Sequence, residues 1–126
     1  MNFKDKEAIY LQIADYISEH IMLGKWKPDE KIPSVREMAG ELQVNPNTVM
    51  RTYEHLQNQE VIFNKRGLGH FVANDAIDKI KGLRKERFLQ QELPDFFRNI
   101  FLLDISFDEM QKRYDEYRSK VTQPKP

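Results

Sequence analysis

No cysteine occurs among the 126 residues. That excludes a disulfide framework and any thiolate metal site, a composition suited to a reducing cytosol. Long apolar runs are missing too. Nothing approaches the roughly 20 residues that cross a bilayer, and the opening MNFKDKEAIY lacks the apolar centre of a signal peptide. The expected location is the cytoplasm. An excess of one charge is also absent, with 20 Lys and Arg against 20 Asp and Glu, and a cut after Asn74 leaves nine basic and ten acidic residues before it and eleven and ten after it. The whole-molecule field therefore announces no polyanionic partner, and a case for nucleic acid has to rest on local placement. Catalytic patterns are lacking as well. His20, His55 and His70 are too dispersed for a preformed metal site, no His-Glu-x-x-His pattern or glycine-rich phosphate loop occurs, and no Ser, His and Asp set has supporting local sequence. An enzyme, a cofactor and a metal are not expected.

What the chain does have is helical periodicity, in a length that suits one compact domain with an extension. In EAIYLQIADYISEHIMLGKW, Ile9, Ile13, Ile17 and Ile21 recur every fourth residue, Tyr10, Ala14 and Tyr16 widen the stripe, and Gly24 supplies a stop. The polar KPDEKIP reads as a turn or short extended connection. Ser34 then precedes Glu37 by three, the spacing of a capping box, and Val35, Met38, Ala39 and Leu42 form the apolar face of a short helix. After the two residues Gln43 and Val44, Asn45 suits an N-cap and Pro46 a first helical position.

That second helix divides into two faces. At 100° per residue, Val49, Tyr53 and Leu56 fall together, and Asn47, Arg51, Glu54 and Asn58 fall opposite. Asn and Arg side chains there can pair with hydrogen-bond donors and acceptors on base edges. EVIFNKRGLGHFVAN follows, with β-prone runs at Val61 to Phe63 and Phe71 to Val72 around Gly67 and Gly69. It reads as a hairpin with Lys65, Arg66 and His70 at or near its tip. Three helices and a basic hairpin in this order give a mainly α fold with a small β-hairpin, a winged helix-turn-helix followed by a helical extension.

From Asp75 the composition shifts. Ile77, Ile80 and Leu83, then Phe96, Phe97, Ile100 and Leu103, keep helical spacing across an interruption at Pro94, and Ser106 with Glu109 sets another capping box before Phe107, Met110, Tyr114 and Tyr117. The expected organisation is a winged helix-turn-helix domain over 1–74, a helical dimerisation region over 75–120 and a disordered tail over 121–126. About 50 helical residues enclose little core. The cluster Phe96, Phe97, Ile100, Phe101 and Leu103 would leave an apolar patch, which a homodimer covers most economically.

The stretch IPSVREMAGELQVNPNTVMRTYEHLQNQEVIFNKRGLGHFV resembles the winged-helix signature of the GntR family of bacterial transcription regulators. VNPNTV and the short helical tail look like its YtrA subfamily. The resemblance covers roughly residues 8 to 73, and in the tail only length and helical character agree. It implies a homodimeric regulator, a repressor or an activator with repression favoured, that binds double-stranded DNA at an inverted-repeat operator. Carried over position by position, Arg36 would reach the major groove, and Ser34, Asn45, Asn47 and Thr48 would meet phosphates or base edges. Arg51 would be a basic position of the subfamily, and Gly67, Gly69 and His70 would belong to a wing in the minor groove; Lys65 and Arg66, beside those glycines, are placed for phosphate contact, with hairpin solubility charges as the bland alternative. Helix starts offer free N–H groups to phosphate, Arg grips guanine and Asn grips adenine. The bland alternatives are a surface role for Arg36 and an ion pair of Arg51 with Glu54 or Glu37. Asp29 and Glu60 stand where the family commonly has glycine, so either they accept a positive φ or the local turns differ. A small-molecule effector has room in this reading, although its identity is not in the sequence. A rival function is a winged-helix protein-interaction module with no specific operator, kept open by the balanced charge.

Overall fold

Ile13, Ile17 and Ile21 are fully buried in the computed structural model, which describes residues 7–122. They form the inner face of α1 (Ile9–Met22), whereas Ile9, at the open end of the helix, is 48% exposed and does not join the stripe. Gly24 ends the helix with φ +86°. The Lys25 N–H returns to the His20 carbonyl at 2.9 Å and the Gly24 N–H to that of Ile21 at 3.1 Å, the paired closure of a helix that stops on a left-handed residue.

The tight helix pair follows. Helix α2 (Val35–Leu42) buries Met38 and Ala39, and α3 (Pro46–Asn58) buries Val49, Thr52, Tyr53 and Leu56. Gln43 makes the short turn possible by taking φ +55°, so that the Val44 N–H reaches the Ala39 carbonyl at 3.1 Å. The Tyr53 hydroxyl donates to the Pro33 carbonyl at 2.6 Å and ties α3 to the segment that opens α2. Burial, reinforced by the charges of Glu41 and Glu37, keeps that phenol protonated well above the usual tyrosine range. Deleting a buried side chain of this kind costs about 2–5 kcal/mol.

Strands β1 (Ile62–Lys65) and β2 (Gly69–Val72) pair antiparallel, Ile62 opposite Val72 and Lys65 opposite Gly69. The polar connection before α2 lies along the other edge of β2. The Asp29 N–H donates to Val72, the Val72 N–H to Glu30 and the Ile32 N–H to His70, at 2.8, 2.9 and 3.0 Å. Asp29 and Glu60 both adopt positive φ, +67° and +61°, so these residues accept the conformation that glycine would take more cheaply.

Packing divides the chain after Arg84. Helix α4 (Ala76–Arg87) contributes Ala76 and Ile80 to the core of the first unit, and Arg84 donates to the Asp15 carbonyl at 2.9 Å. Both buried residues come from the segment expected to open the second region. In the second unit, α5 (Leu93–Leu102) and α6 (Phe107–Thr122) carry no buried residue. Pro94 does not interrupt the helix here. A wider π turn over Phe88–Glu92, closed by the Leu93 N–H on the Phe88 carbonyl, precedes it, and the proline occupies the first turn of α5, where an N–H is dispensable. Val121 and Thr122, expected in a disordered tail, close α6, and residues 123–126 of that expectation lie outside the described residues.

Candidate nucleic-acid interface

Two helix starts and one hairpin carry the polar groups singled out in the sequence. At the start of α2 the Ser34 hydroxyl accepts from the Glu37 N–H at 3.1 Å, and the Glu37 carboxylate accepts from the Ser34 N–H at 3.0 Å. These Ser34 contacts, with the Lys31 charge nearby, hold the Glu37 carboxyl below the ordinary glutamate range. Arg36 follows on the first turn, exposed, and its guanidinium meets no ion-pair or hydrogen-bonding partner among the described residues.

At the start of α3 the Asn45 side chain accepts from the Asn47 N–H at 2.8 Å, and Pro46 fills the first turn. The cap is complete without the Asn47 side chain, which stays exposed, as do Arg51, Glu54 and Asn58. Thr48 is half-buried, and its carbonyl accepts from the Thr52 hydroxyl at 3.0 Å. Arg51 pairs with neither Glu54 nor Glu37. Its guanidinium lies over the ring of Tyr10, 4.0 Å from the centroid.

The hairpin sorts its residues by strand alternation. Phe63 and Phe71 stack on one face with centroids 5.7 Å apart, and the Lys65 ammonium lies 4.7 Å from Phe71 and 5.6 Å from Phe63. Arg66 and Gly67 are exposed in the turn, Gly67 with φ +79°. His70 lies near the tip, one pair back from the Lys65–Gly69 end. It pairs with Asn64 inside the sheet and sets its ring edge-on to Tyr53 at 4.9 Å, where burial lowers its pKa.

The structure therefore brings Ser34, Arg36, Asn45, Asn47, Thr48 and Arg51 onto the paired helices and Lys65, Arg66 and Gly67 onto the hairpin end, and it sets His70 inward. Lys31 was missed in the sequence. A Cβ added at Gly69, which has φ +115°, would stand 2.8 Å from the Lys31 Cε, so this lysine, whose backbone bridges to Phe71, reaches along β2 to the turn end of the hairpin. The polar KPDEKIP gave only a turn or short extended connection, and the approach to Gly69 depends on the pairing of Lys31 with Phe71, 40 residues apart in sequence.

Comparisons with known proteins extend the local picture. The pattern of the family described as bacterial regulatory proteins, gntR family, matches residues 9–72. The HTH-type transcriptional regulator YhcF of Bacillus subtilis is 36% identical over 110 residues, covering 86% of this chain and 88% of that protein. The HTH-type transcriptional repressor YtrA of the same organism is 40% identical over 73 residues, 58% of this chain and 56% of YtrA. The chain thus spans most of one relative and about half of the other. Among solved structures, a GntR-family regulator from Bacteroides thetaiotaomicron shares 52% identity at a TM-score of 0.78, covering 91% of this chain and all of that one. The DNA-binding domain of AraR, in complex with an operator, shares 30% identity at a TM-score of 0.53 over 58% of this chain and 89% of that one.

Proposed function

The chain belongs to the GntR family of bacterial regulatory proteins and is a DNA-binding regulator of the YtrA-like kind, and from that premise we propose that it is a cytoplasmic repressor acting as a homodimer on an inverted-repeat operator. The observation that carries the reading is the division of α3 into a buried face and an exposed face with Asn47 and Arg51 one turn apart. A helix held at its start by a cap and along its length by Val49, Tyr53 and Leu56 is rigid enough to present those two side chains to base edges.

The remaining groups take roles their chemistry allows. Arg36 reads a base from the first turn of α2. Ser34 and Thr48 meet phosphate, since the Ser34 hydroxyl, although an acceptor inside the capping box, keeps its own proton to donate. Lys65 and Arg66 follow the backbone at the groove edge, and Gly67 lets the turn approach closely. Gly69 leaves room for the Lys31 side chain, and His70 supports the wing from inside. The repressor role is supported by the likeness to YtrA, and the operator by the complex seen for AraR.

The second copy is supported by the tail. Phe101 is 80% exposed, and Phe96, Phe97, Leu102 and Leu103 stand exposed with it. Paired copies place two winged helices on symmetric half-sites. An effector would fit the aromatic cleft of about 500 Å³ lined by Phe96, Phe107, Met110, Tyr114 and Tyr117.

Selection of bound sequences from random duplex DNA tests the whole. An inverted repeat is the expected product. Its absence, with the tail still self-associating, would favour a protein-interaction module.

A further inference from the structure

We propose that Tyr10 is a positioning residue for DNA recognition, holding the Arg51 guanidinium in the orientation from which it meets a base edge; the proposal rests on the DNA-binding reading above. The Arg51 guanidinium carbon lies 4.0 Å from the Tyr10 ring centroid, close enough for a flat stack on the ring face. His55, one turn further along α3, closes edge-on against the same ring at 5.9 Å. The side chain from α1 therefore lies against Arg51 and His55, residues i and i+4 of one helix.

The ring is itself anchored. The Thr52 hydroxyl, with one proton shared between two carbonyls, lies 2.9 Å from that of Tyr10 and 3.0 Å from that of Thr48, so the start of α1 meets the middle of α3 across 42 residues of sequence. Tyr10 is half-buried and Arg51 exposed, which places the contact at the border of the core. An unsupported arginine loses rotamer freedom on binding, and a stacked one has lost part of it beforehand. Stacking uses the face of the guanidinium and leaves its N–H edge, the part that grips guanine, available. No ionised acid competes, since Arg51 has no ion pair among the described residues.

The alternative is that Tyr10 merely packs α1 on α3. A set of variants separates the two. Tyr10→Phe keeps the ring face, and Tyr10→Leu keeps apolar bulk without it. Binding of the full chain to its selected operator and to random duplex is measured for both, in the parent and in an Arg51→Ala background. The expected result is that Tyr10→Phe binds like the parent and Tyr10→Leu lowers the ratio of operator to random affinity roughly three- to tenfold. That loss should disappear when Arg51 is already alanine. Equal losses in both backgrounds, or equal losses on operator and random DNA, would overturn the proposal.

A readout without DNA covers folding. The Arg51 side-chain N–H resonances should be shifted by the ring current in the parent and in Tyr10→Phe, and unshifted in Tyr10→Leu. Unshifted resonances in the parent would remove the stack. A shifted Arg51 in a protein with no sequence preference would instead sink the DNA-recognition reading and reduce the stack to packing.

Discussion

Sixteen apolar side chains are buried in the winged-helix unit, from Ile13 to Ile80, whereas no described residue from 85 to 122 is buried although that stretch carries Phe88, Phe96, Phe97, Phe101, Phe107, Tyr114 and Tyr117. In the first unit the helical stripes of α1, α2 and α3 converge on one another and on the base of the hairpin, so the apolar core closes within one chain, and among the described residues only the Arg84 Nε is a buried side-chain polar atom left without a hydrogen-bond partner. In the second unit the same kind of side chain forms a surface. Burial is worth roughly 25 cal/mol per Å² of apolar area removed from water, and a tail that buries none of these rings gains little stability by itself. The contrast separates two kinds of apolar residue, those that fold the chain and those that stay on its surface.

The contrast breaks most directly if the tail is removed. A chain ending after Arg84 keeps Ala76, Ile80 and the Arg84 link to Asp15. It should fold as a monomer and bind a full operator about 10²- to 10⁴-fold more weakly than the parent, the loss expected when two linked binding events become independent. Sedimentation and operator titration check both halves. A truncated protein that remains dimeric would move the interface into the winged-helix unit. Ending at Asn74 should be worse for stability, because Ile80 then leaves the core uncovered.

Single substitutions extend the comparison. Leu56→Ala removes a fully buried side chain and should lower unfolding free energy by about 2–5 kcal/mol, independent of protein concentration. Phe101→Ala removes one that is 80% exposed. It should leave the monomer within about 0.5 kcal/mol, yet make the melting temperature and the dimer fraction more sensitive to dilution. Melting curves over a wide concentration range distinguish the two behaviours, and a concentration-independent loss for Phe101→Ala would place that ring in a core rather than at an interface.

Legibility in the sequence follows the same division. The helix starts at Ser34 and Asn45 were readable because capping is local: the donor, the acceptor and the spacing lie within four residues. The faces of α3 were readable from periodicity, and Val49, Tyr53 and Leu56 are all buried. What depended on distant partners was not. His70 was expected at or near the hairpin tip and sits one pair from its end, but its ring faces Tyr53, a direction set by the register of Asn64 opposite it. Arg51 had Glu54 and Glu37 as its nearby candidates, and its actual neighbour Tyr10 is 41 positions away in sequence. Pro94 suggested a break, but a widened turn ahead of it absorbs the missing N–H.

Inside the winged-helix unit, stability and recognition should separate in the same way. Asn45 caps α3, whereas the Asn47 side chain takes no part in the cap. Asn45→Ala should cost about 0.5–2 kcal/mol of stability and weaken binding partly through that loss. Asn47→Ala should stay within about 0.5 kcal/mol in a melt while losing affinity selectively at the operator. An Asn47→Ala variant that binds like the parent, or unfolds as readily as Asn45→Ala, would remove the reading role.

The smallest effect concerns helix ends that occur in both units. Helices α3 and α5 close alike on left-handed residues, Glu60 at φ +61° and Asp104 at φ +56°. The Val61 N–H returns to the Leu56 carbonyl at 3.0 Å, and the Ile105 N–H to that of Ile100 at 2.9 Å. A side chain in this conformation costs about 1–2 kcal/mol, and glycine gives back about 0.5–1 kcal/mol of that through its looser unfolded chain. Asp104→Gly should therefore stabilise its helix end by roughly 0.5–1 kcal/mol. Glu60→Gly should gain less, because the Glu60 carboxylate holds the Lys79 ammonium at 2.8 Å in an exposed, solvent-screened pair. Lys79→Ala supplies the control. Its cost should be visible in the parent and shrink in the Glu60→Gly background, leaving the pairing of Lys79 with Asp75 at 3.5 Å as the remainder. If Glu60→Gly and Asp104→Gly stabilise equally and Lys79→Ala costs the same in both backgrounds, the ion pair contributes nothing and conformational strain alone governs both ends.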